Sequence, residues 1–162
     1  MEQVEKHLRK AKTWNMVLLV LGLISVIFGV INLPSLFKVP DKAPYEAMGS
    51  YGLELYEQIT GPFQKVNTIV GLIVSIILLI CYFKANSALK ENKVPTKIPY
   101  YGYLAWTIIS LIIAFITTPK GSVMEGIDIS KITMIIGTVF QFIIAIPAIL
   151  VIVHLFKAEP EE

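Results

Sequence analysis

Four long apolar stretches constrain this chain more than any other feature of its sequence. They cover residues 14–33, 66–83, 100–118 and 132–156, and none of them contains an aspartate, glutamate, lysine or arginine. At 1.5 Å per residue, a helix of 18 apolar residues covers about 27 Å, close to the bilayer's hydrocarbon thickness of about 30 Å. Unpaired backbone amides are costly in lipid, so such stretches cross a membrane as helices. The sequence therefore predicts four transmembrane helices.

The composition fits a single membrane domain over residues 1–162. Hydrophobic residues make up 55% of the chain and charged residues 16%, and the mean hydropathy of +0.69 lies outside the range of ordinary soluble domains. A net charge of +2 with no basic stripe argues against nucleic-acid binding. Cys81 is the single cysteine, which excludes an intrachain disulfide and a cysteine-based metal cluster. Frequent lysine and isoleucine favour a bacterial source with an AT-rich genome.

The lysine-rich connection at residues 84–97 sets the expected orientation. It contains four lysines and one glutamate, and cytoplasmic loops carry an excess of basic residues. With this connection inside, residues 1–13 add four more basic residues to the cytoplasmic side and Lys157 adds another, leaving five outside. We therefore expect two helical hairpins in a bundle, with both termini in the cytoplasm. Residues 34–65 and 119–131 become outer loops.

The polar segments suggest two further local structures. Apolar or small residues recur every three or four positions between residues 45 and 59, which predicts a short amphipathic extracytoplasmic helix. Gly49 and Gly52 weaken that helix. Residues 1–13 are polar. Val4, Leu8 and Ala11 recur there at helical spacing, which is compatible with a short helix on the inner membrane surface, but a solvated basic flank is favoured.

Aromatic residues gather at the start of the third span. Tyr100, Tyr101, Tyr103 and Trp106 lie close together there, and tyrosine and tryptophan are enriched where a membrane meets water. We therefore expect an interfacial aromatic belt at this point.

Each predicted span also carries a stripe of small or polar residues. Small residues let helix backbones approach, and amides and hydroxyls form hydrogen bonds between helices. The same stripes are compatible with a polar path, but four helices enclose a core that side chains fill, so packing is favoured. A proline inside the last span removes a backbone hydrogen bond and predicts a kink. The candidate packing or path residues are Asn15, Gly22, Ser25, Gly29, Asn32, Asn67, Gly71, Ser75, Thr107, Ser110, Gly137, Gln141 and Pro147.

The sequence shows no arrangement typical of an enzyme: no nucleophile–base set, paired carboxylates, zinc spacing or phosphate-binding glycine loop. We expect no catalysis, cofactor or metal. Charged residues inside a membrane usually mark proton relays or ion paths, and His154, near the end of the last span, is the one ionisable exception. A metal or proton site there needs a partner, and His7 is the only other histidine. We therefore expect His154 to be an interfacial residue.

These features favour a small non-enzymatic subunit of the cell membrane that assembles with itself or with a larger membrane complex, surrounded by lipid. The first alternative is a small, oligomeric channel or solute transporter with a polar path near Asn32, Asn67 and Gln141 and a kink at Pro147. Inverted repeats, typical of secondary transporters, are not visible; the two hairpins show only a faint parallel likeness, which leaves duplication open. The second alternative is an immunity or sensing protein that acts through residues 35–65.

Overall fold

The computed structural model describes residues 2–118, 123–124 and 127–159, and this part of the chain is mostly helical. Four helices are long and apolar enough to cross a membrane, which confirms the predicted all-α class and the number of spans. The long helices are α1 (Glu2–Asn32), α4 (Pro62–Lys90), α5 (Ile98–Thr117) and α6 (Ile129–Phe156). The short elements are a 3₁₀ helix (Leu33–Phe37), α2 (Ala43–Glu46), α3 (Gly49–Thr60) and the two-residue antiparallel strands β1 (Val123–Met124) and β2 (Ile127–Asp128).

The four long helices form a bundle in which α1 is central. It packs against α4 on one side and α6 on the other; α5 packs mainly against α6 and meets α4 through a few side chains. Side chains from the start of α1 and the end of α6 meet, so these two helix ends lie at the same end of the bundle. We call this the terminal end, and the opposite end, with α3 and the two strands, the loop end. Part of the predicted turn at 119–131 lies outside the described residues.

The packed core lies in the terminal half of the bundle. Towards the loop end, most large apolar side chains of α1, α5 and α6 are exposed. In a bilayer these side chains face acyl chains or a protein partner. The buried apolar cluster contains Leu8, Ala11, Leu18, Leu19, Leu79, Tyr82, Ala85, Leu89, Tyr100, Ala148, Val151, Ile152, Leu155 and Ala158.

The expected solvated flank at residues 1–13 is wrong. Helix α1 begins at Glu2, and Leu8 and Ala11 are buried in the core. At a three-residue spacing these two side chains share one helix face, which packs while the charged residues remain outside. With 31 residues α1 is about 46 Å long, so its first turns extend the bundle beyond the hydrocarbon layer.

The lysine-rich connection is shorter than the predicted loop at 84–97. Helix α4 continues to Lys90 because Ala85 and Leu89 pack in the core. It ends where Asn92 adopts a left-handed conformation with φ of 56°. The backbone N–H of Lys93 then donates to the carbonyl of Ala88 at 2.9 Å, which is the Schellman pattern of a helix end.

The helical periodicity at residues 45–59 corresponds to two helices. Residues 47–48 separate α2 from α3, and Gly49, the first residue of α3, has φ of 69°, a left-handed conformation that glycine adopts readily. Gly52 is buried, and a Cβ atom there would overlap the carbonyl oxygen of Tyr45. Gly49 therefore permits the sharp change of direction between the two short helices, and Gly52 permits their close approach.

Candidate functional site

A cavity of about 740 Å³ lies between α3, α5 and α6 in the loop half of the bundle. We call it the loop-end cavity. Its walls are mainly apolar, with polar groups contributed mostly by α3 and α6. The lining residues used below are Gln58 of α3, Phe115 of α5, and Gly137, Thr138 and Gln141 of α6.

Gln141 supplies a primary amide to this cavity. It lies near the middle of α6 and is half-buried. Its side chain has no hydrogen-bond partner among the described residues. An amide offers two donors and an acceptor oxygen, and leaving these groups unpaired in an apolar environment costs about 2–7 kcal/mol. Gln141 therefore needs a partner from outside the described residues.

The glycines of the predicted stripes differ in whether a neighbouring helix packs against them. A Cβ at Gly22 would lie 3.3 Å from Leu79 Cδ1, and one at Gly29 would lie 2.7 Å from Leu72 Cδ1. Both glycines therefore let α1 pack closely on α4. A Cβ at Gly137 meets nothing within 4 Å. Gly137 therefore resembles a position where two helices pack closely, but no helix of the described chain packs against it.

Asn15 belongs to a hydrogen-bonded cluster in the terminal half. Its Nδ2 donates to the backbone carbonyl of Tyr82 at 3.1 Å, and the Tyr100 hydroxyl donates to its Oδ1 at 2.7 Å. The rings of Tyr82 and Tyr100 stack with centroids 5.6 Å apart. We call Asn15, Tyr82 and Tyr100 the tyrosine–asparagine cluster; it joins α1, α4 and α5. Tyr100 is fully buried, so its expected place in an interfacial belt is wrong.

A second cavity, of about 310 Å³, is lined by side chains from all four long helices. Ser25, Ser75 and Trp106 contribute to its wall. The Ser75 hydroxyl donates to the carbonyl of Gly71 at 2.8 Å, within its own helix. A Cβ at Gly71 would lie 3.8 Å from Trp106, an ordinary contact between α4 and α5. Gly71 therefore serves helix packing, while Ser25 and Ser75 line a central cavity whose walls are mainly apolar.

The remaining candidate residues do not join Gln141 in one site. The Asn32 amide donates to the carbonyl of Phe28 at 2.8 Å on the exposed end of α1. Asn67 lines neither cavity. Pro147 is buried inside the continuous helix α6. The residues of the predicted polar path therefore lie apart, and only Gln141 faces a large cavity.

Two further candidates lie on α5. Thr107 is buried, and its hydroxyl donates to the carbonyl of Tyr103 at 2.9 Å. Ser110 is half-buried. Both positions are consistent with helix packing.

The two histidines of the chain meet at the terminal end. His7 Nδ1 lies 3.1 Å from His154 Nδ1, and the ring centroids are 5.3 Å apart. The sequence supplied both residues but gave no indication that they come together, because 147 positions separate them. We call them the histidine pair.

No family model, curated protein or solved structure matches the chain. Its function therefore has to be inferred from the geometry of its own residues.

Proposed function

We propose that the protein is a non-enzymatic membrane subunit that assembles with a second copy of itself through the α6 face that carries Gly137 and Gln141. In this proposal the lysine-rich terminal end faces the cytoplasm of a bacterial cell, and α3 lies on the outer side of the plasma membrane. The observation that carries the proposal is that Gly137 and Gln141 line the same cavity. Among the described residues, no atom lies within 4 Å of a Cβ placed at Gly137, and no group forms a hydrogen bond with the Gln141 side chain.

Self-assembly is favoured by the depth of Gln141. Copies inserted in the same orientation and related by a two-fold axis along the membrane normal place each residue at the same depth as its counterpart. Two Gln141 side chains can then meet, and a primary amide is its own hydrogen-bond complement. Gly137, one helical turn away, allows the two α6 backbones to approach. A larger membrane complex is the alternative form of the same function.

The first experiment replaces Gln141 by leucine. Interhelical hydrogen bonds in membranes contribute about 0.6–2 kcal/mol, so the association constant should fall by about 3- to 30-fold. The measurement is the dimer fraction in liposomes as a function of protein density, by single-molecule photobleaching. Gln64→Leu makes the same chemical change on α4, away from the loop-end cavity, and should leave association unchanged.

A second pair of variants tests the close approach of the helices. Gly137→Leu and Gly102→Leu each add a side chain where a Cβ meets nothing within 4 Å, so neither should disturb the fold of one copy. We expect Gly137→Leu to abolish dimers and Gly102→Leu to retain them. A wild-type protein that stays monomeric at all densities and without partners in native membranes contradicts the proposal.

A small channel or solute transporter is the second candidate, favoured by the loop-end cavity that Gln141 lines. Solute flux into liposomes that is reduced by Gln141→Leu would support it. Flux that is absent from the wild type, or unaffected by this substitution, would eliminate it.

A further inference from the structure

The histidine pair joins the first turns of α1 to the last turn of α6. His7 and His154 are both half-buried, so water reaches them, and their Nδ1 atoms face each other at 3.1 Å. We infer that this pair is a chelate site for a divalent late transition-metal ion, with Cu²⁺ bound more tightly than Ni²⁺ or Zn²⁺. The bound ion would fasten α1 to α6 at the terminal end.

The spacing of the two nitrogens fits a single metal ion. Imidazole nitrogens bind such ions at about 2.0–2.1 Å. With the Nδ1 atoms 3.1 Å apart, the angle at the metal is about 100°, between the square-planar value of about 90° and the tetrahedral value of about 109°. Because the two Nδ1 atoms face each other, both rings have to rotate for their lone pairs to point at a shared ion.

The chemistry of the pair also suits a metal. Without one, the contact between the two Nδ1 atoms requires one ring to donate a proton and the other to accept it. A metal ion replaces that proton and uses both lone pairs, leaving each Nε2 to carry the remaining hydrogen. Imidazole is a good ligand for copper, nickel and zinc, and affinity for a given site peaks at Cu²⁺ in this series.

The surroundings limit the affinity. Among the described residues no group of three or more histidine, cysteine, aspartate or glutamate side chains is placed to hold a metal ion. Water therefore fills the other coordination positions. Lys10 and Lys157 lie close enough for their charges to act on His154, and they repel a cation. Removing one of these charges should tighten binding.

The test is a Cu²⁺ titration of the full-length protein, purified with a histidine-free tag in detergent micelles. Electron paramagnetic resonance of the wild type should show one ion bound through two nitrogens. His7→Gln and His154→Gln should each weaken binding at least tenfold and remove the two-nitrogen signal. The double variant measures background binding, for example by the amino terminus. Lys157→Gln should tighten binding several-fold.

Thermal unfolding provides a second readout. Added Cu²⁺ should raise the midpoint of the wild type in a concentration-dependent way and leave both single variants unchanged, because only a chelate links the two helices. Midpoints measured without metal show whether each variant is folded. Equal Cu²⁺ affinity in the wild type and either folded single variant, or a wild type that binds no Cu²⁺ above background, would overturn the inference.

Discussion

Replacing Tyr100 by phenylalanine removes one hydroxyl from the packed half of the bundle and little else. The phenyl ring can keep its stack on Tyr82, so the buried apolar area hardly changes. The loss is the 2.7 Å hydrogen bond to Asn15 Oδ1, an atom of a side chain with no exposed surface. The substitution therefore measures one interhelical hydrogen bond.

Two magnitudes bound the expected effect. A buried polar atom that loses its partner costs about 1–3 kcal/mol in proteins generally. Hydrogen bonds between membrane helices average about 0.6 kcal/mol and reach about 1.7 kcal/mol. Because Asn15 is fully buried and water cannot replace the hydroxyl, we expect Tyr100→Phe to lower the free energy of unfolding by about 1–2 kcal/mol.

The assay is reversible unfolding in mixed dodecyl maltoside and SDS micelles, followed by circular dichroism. Tyr101→Phe is the matched control, since Tyr101 is exposed and has no side-chain hydrogen bond in the described structure; it should change stability by less than about 0.5 kcal/mol. Asn15→Leu combined with Tyr100→Phe should cost less than the sum of the single changes. Each single change leaves one buried polar group without this partner, whereas the double change removes both groups of the hydrogen bond. Equal stabilities for Tyr100→Phe and Tyr101→Phe would refute the reasoning.

Three other predictions follow from local geometry. Gly29→Ala places a Cβ 2.7 Å from Leu72 Cδ1; that flexible side chain has to shift, and we expect a loss of about 1 kcal/mol in the same unfolding assay, whereas Gly102→Ala should be neutral. Asn92→Gly relieves a left-handed residue at the end of α4 and should raise the free energy of unfolding by about 0.5–1 kcal/mol, while Asn92→Ala should lower it. Fusions of a cytoplasm-active reporter to either terminus should both be active, and activity at only one terminus would contradict an even number of membrane crossings.

The four spans were predictable because hydropathy and helix length act locally along the chain. The packing of the start of α1 was not predictable, because the helical spacing of Val4, Leu8 and Ala11 fits a surface helix equally well. Only contact with the other helices shows that Leu8 and Ala11 are core. From the sequence alone, Tyr100 cannot be distinguished from a tyrosine at the membrane interface. The partner of its buried hydroxyl is Asn15, which lies 85 positions away.

The candidate site was predictable only in part. The stripe on α6 included Gly137 and Gln141 from the start, but helical spacing treats every glycine alike. Distances show that Leu72 packs against Gly29, whereas no atom of the described chain lies within 4 Å of a Cβ placed at Gly137. The histidine pair carried no local pattern at all, because it depends on how the two ends of the chain pack together.

Disulfide crosslinking in native membranes tests the proposed α6 interface most directly. In a Cys81→Ser background, a single cysteine at Gly137 is compared with a single cysteine at Ile77, which is exposed on α4. After mild oxidation, the proposed dimer predicts a crosslinked species of twice the mass for the Gly137→Cys protein and none for Ile77→Cys. Equal crosslinking at both positions, or none at Gly137→Cys, would contradict assembly through this face.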